Sequence, residues 1–128
     1  MKLPIIVSED SKQPIYYQIE MQIKTLIVSG QLPPNTLLPS IRALSSELSC
    51  SVITTRRAYQ NLENDGFIKT VQGKGTFVKV LDMEMAQDTK YEVTRSALLQ
   101  AIEQAELMGS KSEDIRMVFE DIMKQKDR

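Results

Sequence analysis

The residues with most chemistry to offer are basic side chains at the starts of short helices and at a glycine-flanked turn. They are Arg42, Arg56 and Arg57, with Ser40 and Ser51 beside them, and Lys74 between Gly73 and Gly75. A guanidinium is a planar fork of donors that grips a phosphate or a guanine edge through two parallel hydrogen bonds. Backbone N–H groups at a helix N-terminus, next to a capping serine, favour the same kind of partner. The chemistry on offer is therefore anion recognition. The tools of catalysis are missing: without histidine there is no Ser-His or Cys-His pair and no usual zinc set. No paired carboxylates stand out either, so the chain reads as no enzyme, with no cofactor and no metal. Gly73-Lys74-Gly75-Thr76 is not a phosphate loop, because that pattern needs Ser or Thr directly after the lysine and a glycine where Ile68 stands.

Local signals place these residues on elements. Pro14 suits the first position of a helix, where its missing N–H leaves nothing unpaired. Ile15, Ile19, Ile23, Leu26 and Ile27 then recur at helical spacing, which predicts a helix over 14–29, stopped by Gly30 and Pro33-Pro34. Ser40 caps a short second helix carrying Ile41, Leu44 and Leu48, and Ser51 caps a third over 52–65 that buries Val52, Thr55, Ala58, Tyr59 and Leu62. Beyond Gly66 the period changes to strand-like: 67–71 and 76–80 are rich in β-branched and aromatic residues, and Gln72-Gly73-Lys74-Gly75 is a hairpin tip.

Helix, helix, tight turn, helix and two-stranded ribbon is the layout of a winged helix-turn-helix. That motif lays its last helix in the major groove of DNA while the preceding helix touches phosphates. On this chain it predicts DNA contacts from Ser40, Arg42, Ser51, Ile53, Thr54, Arg56, Arg57, Gln72, Gly73 and Lys74. Ile53 either touches a thymine methyl or packs.

The charge balance at first opposes nucleic acid: 128 residues carry a net −1. Residues 1–80, however, hold nine Lys and Arg against six Asp and Glu, and 81–128 hold seven against eleven, so a basic front is joined to an acidic back. The back reads as a linker over 80–88 followed by two helices. Thr89 with Glu92, and Ser110 with Glu113, have capping-box spacing. Leu98, Ala101, Ile102 and Ala105 lie on one stripe, Val118, Phe119 and Ile122 on the other. Two helices of under 40 residues cannot enclose a core, so these residues predict a homodimer. Met108, Met117 and Met123 either line a pocket for a small-molecule effector at that interface or form plain dimer core. The single Cys50 offers no disulfide, and no run approaches a membrane span. A cytoplasmic protein with no membrane association is expected.

The expected fold is mainly α with a small β-wing: a winged helix-turn-helix domain over 11–79, a linker over 80–88 and a two-helix dimerisation segment over 89–128. Pro14-Ile-Tyr-Tyr-Gln-Ile, Leu38-Pro-Ser-Ile-Arg-Ala-Leu, Thr54-Thr-Arg-Arg-Ala-Tyr-Gln-Asn-Leu-Glu, Asp65-Gly-Phe-Ile and Gly73-Lys-Gly-Thr-Phe-Val occur in this order. This series resembles the GntR family of bacterial repressors, and the short helical tail resembles its YtrA subfamily of small dimeric regulators. The resemblance implies that Arg42, Thr54 and Arg56 match DNA-contacting positions and Gln72-Gly73 the wing tip. Val52 stands where the family often has a DNA-reading arginine, and Ser49 where it often has glycine, which bears on the operator sequence and not on DNA binding.

The reading is a sequence-specific regulator, a repressor that binds a pseudo-palindromic operator in double-stranded DNA as a homodimer. Family members commonly sit beside genes for ABC-type export systems, often within their own operon. The alternative is a winged-helix protein-interaction module without selective DNA binding.

Overall fold

The computed structural model describes residues 2–128 and contains five helices and one two-stranded antiparallel sheet among them. The chain forms two compact units that meet in sequence between Val93 and Thr94.

In the first unit, α1 (Ile15–Val28), α2 (Ile41–Leu48) and α3 (Val52–Asn64) pack around one core with the hairpin of β1 (Ile68–Val71) and β2 (Gly75–Val78). Ile19 and Ile23 of α1, Leu44 of α2, Leu62 of α3, Ile68 of β1 and Val78 of β2 are fully buried. The expected stripes face that core, with Ile15, Ile41 and Leu48 at its half-buried margin, whereas Val52, expected to be buried, is only half-buried. Pro14 stands one position earlier than expected, as the residue preceding the first turn of α1. Ser40 and Ser51 cap as expected, accepting from the N–H groups of Ala43 and Thr54, each at 3.1 Å.

The sheet has more support than the two predicted strands. The N–H groups of Asn35 and Leu38 donate to the carbonyls of Val78 (2.8 Å) and Thr76 (2.8 Å), and that of Val78 donates to Thr36 (3.0 Å), so residues 35–38 run along β2. Gly75 is required there. A Cβ on it would lie 2.7 Å from Leu37 Cδ1, and its φ of +126° is open only to glycine. The N-terminal arm is pinned as well. The amides of Gln18 and Gln22, one turn apart, each exchange two hydrogen bonds with the backbone, at Ser8 (2.8 and 2.9 Å) and Ile6 (3.0 and 2.7 Å) respectively. Leu3 and Ile5 are thereby buried in the core.

The expected stretch without regular structure before the tail is helical from Met83. Helix α4 (Met83–Leu107) begins there because the Asp82 carboxylate accepts from the Met85 N–H at 2.8 Å. Thr89, expected as a cap, lies inside the helix and is buried. Residues 83–88 are mostly good helix formers, so the helix extends upstream to the Asp82 cap and Thr89 becomes an interior position.

The second unit comprises the rest of α4 and α5 (Ser112–Lys126), joined through Gly109 in the left-handed region (φ +92°). The capping pair is displaced by one residue from Ser110 and Glu113: the Asp114 carboxylate accepts from the Lys111 N–H at 3.2 Å. No residue of α5 is buried. A groove of 690 Å³ runs between the two helices, lined by the predicted stripe residues Leu98, Ala101, Ile102, Ala105, Val118, Phe119 and Ile122.

Candidate nucleic-acid interface

Three segments carrying the candidate contacts are tied to one another. Ser45 of α2 donates to the Thr55 hydroxyl of α3 at 2.8 Å, inside the core, and the Cys50 thiol lies 3.3 Å from the same oxygen. These bonds hold the tight turn, in which Ser49 takes a left-handed φ of 55°. The Tyr59 hydroxyl donates to the Pro39 carbonyl at 2.7 Å, which fixes the start of α2 against α3, and burial holds that phenol well above its ordinary pKa. The hairpin joins them through residues 35–38 and through Glu63, which accepts from the Thr70 N–H at 2.9 Å.

Within this frame the predicted residues divide. Arg42, Ile53, Arg56, Gln72, Gly73 and Lys74 are exposed. Gly73 (φ +79°) supplies the sharp hairpin turn, and the Lys74 N–H donates to Val71 at 2.9 Å, leaving its ammonium at the tip. Ser40 and Ser51 are occupied as caps, and Thr54, whose N–H Ser51 accepts, shares with Ser51 a further hydroxyl contact of 2.8 Å. Arg57 stacks over the Tyr16 ring at 3.8 Å, which commits it to the chain's own α1. Arg56 has no recorded partner among the described residues and is the free guanidinium of α3.

A charge group that sequence reading missed, centred on the buried Lys24, lies on the same side of α1 as Tyr16, two turns further on. Lys24 pairs with Glu92 (3.5 Å) and Asp65 (3.9 Å) and stands 5.1 Å from the centre of the Phe67 ring, so the first turns of α4 are fastened to α1. The signal was present as Glu20 and Lys24 one turn apart, flanking the apolar stripe beside Ile19 and Ile23. Burial, partly offset by the hydrogen bond to Asn61 and by Lys24, raises the Glu20 pKa above its ordinary value of 4.5. A carboxyl with a raised pKa in the folded state favours folding below its unfolded pKa and loses that contribution as pH rises. Glu20→Gln should therefore gain stability relative to wild type at pH 7, with the gap narrowing towards pH 4; thermal melts of both proteins across that range check it.

Against known proteins, the family described as bacterial regulatory proteins, gntR family, matches residues 15–78. The chain belongs to the GntR family. It is 30% identical to the HTH-type transcriptional repressor YtrA of Bacillus subtilis (strain 168), over 92% of this chain and 91% of that protein. It is 42% identical to the repressor NagR of the same organism over 80 residues, 62% of this chain and a third (33%) of that longer protein. Among solved structures it is similar to the AraR DNA-binding domain in complex with operator ORX1, with a TM-score of 0.50 and 32% identity over 61% of this chain and 90% of that one. The GntR chain is thus a DNA-binding transcriptional regulator of YtrA-like type with a winged-helix reader, and not an enzyme. Among the described residues no helix is long and apolar enough to cross a membrane.

Proposed function

We propose that this GntR regulator is a cytoplasmic repressor that binds a pseudo-palindromic operator as a homodimer, excluding polymerase from the promoter. The observation that carries the DNA-contact part is the division of α3: Ile53 and Arg56 are exposed while Thr55, Ala58 and Tyr59 are buried, which suits a helix laid in the major groove. Arg56 is the base-reading guanidinium. Arg42 and the Ser40-capped end of α2 take phosphates, and Gln72, Gly73 and Lys74 follow the backbone beside the groove. Arg57 supports from behind through Tyr16.

The dimer reading rests on the second unit. Ile102, Phe119 and Ile122 are 38%, 42% and 47% exposed around the groove, and an apolar face of that kind is covered by a like face in an isologous pair. The same groove is where a small apolar effector would compete with the partner copy. Control of the regulator's own operon with an ABC-type transporter follows from the YtrA resemblance.

The test is a gel-shift titration with promoter fragments at several salt concentrations. Selective binding that weakens steeply with salt is expected, since phosphate contacts release counterions. Equal affinity for every fragment would overturn the regulator reading in favour of an interaction module.

A further inference from the structure

The first two turns of α3 leave few side chains able to read a base. Val52 is half-buried, and Thr55, Ala58 and Tyr59 are buried. The Thr54 hydroxyl is engaged with that of Ser51 at 2.8 Å, and Arg57 lies on Tyr16. Ile53 and Arg56 remain. Ile53 is 76% exposed, an aliphatic side chain held in water at the second position of the helix that faces the groove. Among the described residues it joins no apolar core.

We propose that Ile53 is a specificity-determining residue that recognises the 5-methyl group of a thymine in the major groove, an assignment that rests on the DNA-binding reading above. The thymine methyl is the only apolar group that the major-groove edges of the four bases present. A β-branched side chain is rigid at χ1, so its methyls are presented with little entropy to lose. Ile53 and Arg56 are three residues apart, so they lie on neighbouring faces and about 4.5 Å apart along the helix axis. That is near the base-pair step of about 3.4 Å, which places the thymine adjacent to, or one pair removed from, the guanine read by Arg56. The half-site is thus read by one polar and one apolar contact. Val52 is half-buried and contributes to neither.

The experiment begins with the full chain selecting sequences from a random DNA pool. The preferred operator is then synthesised with deoxyuridine in place of each half-site thymine in turn, which deletes the methyl and keeps the base pair. Wild type should lose roughly fourfold in affinity at one thymine per half-site, the value of one methyl removed from water. Ile53→Ala, which removes the contact from both half-sites, should lose roughly the square of that factor on the thymine operator and be indifferent to deoxyuridine at that position. Equal binding of wild type to every substituted operator overturns the assignment, as does an Ile53→Ala protein that keeps the full deoxyuridine penalty. A pool that yields no preferred sequence overturns the operator reading itself, and the assignment with it.

Discussion

Arg56→Ala is expected to abolish selective operator binding while leaving the fold and the oligomeric state intact. Arg56 is exposed at the fifth position of α3 with no recorded partner among the described residues, so its removal opens no cavity and breaks no internal bond. A bidentate arginine–guanine contact is worth about 1–3 kcal/mol of discrimination. A homodimer loses it twice, so the preference for the operator over unrelated DNA should fall by roughly 30-fold at the low end and about twenty-thousandfold at the high end. Anisotropy titration against operator and scrambled duplexes checks this, with a melting curve alongside. Arg57→Ala is the informative contrast. Its guanidinium lies 3.8 Å from the centre of the Tyr16 ring, so the change should lower thermal stability more than selectivity.

Ile102→Glu should split the proposed homodimer. Ile102 lines the groove of the second unit and is 38% exposed there, and the acidic tail already carries four more acids than bases. An unpaired carboxylate buried at an interface costs about 3 kcal/mol or more. Both copies carry it across a two-fold interface, so the dimer constant should weaken by about four powers of ten. Light scattering should give the mass of a single chain, near 14.5 kDa, with the first unit still folded by circular dichroism. An unchanged dimer mass would remove Ile102 from the interface.

What was legible in the chain follows from how local each determinant is. Ser40 and Ser51 were readable as caps because a cap needs one hydroxyl and the three residues after it. The burial of Ile19, Ile23, Leu44 and Leu62 was readable because a stripe repeats at the helical period. Determinants that act across the chain were not. The N-terminal arm is held by Gln18 and Gln22, ten and sixteen residues beyond the backbone they grip. Residues 35–38 pair with β2 across some forty positions, behind two prolines that read as a break. The start of α4 was misplaced because Thr89 and Glu92 have the spacing of a capping box, whereas Asp82, which caps the helix, has only Met85 three residues on.

The candidate site shows the same division. That one of Arg42, Arg56, Arg57 and Lys74 is committed internally could not be read from type or spacing, because Arg56 and Arg57 are adjacent and differ only by the rotation of one helical step. That rotation lays Arg57 over the Tyr16 ring and leaves Arg56 without a partner among the described residues, both side chains being exposed. Ile53 is similar: a core residue by type, and an exposed one by position on α3.

The most direct test of the central claim, that two copies read a two-fold operator through α3 and the wing, is a hydroxyl-radical footprint of the full chain on its preferred DNA. Two equivalent protected patches are expected on one face of the duplex, related by a dyad and separated by about one helical turn or a whole multiple of it. A single unsymmetrical patch, or protection that drifts along the DNA without a preferred position, would contradict that claim.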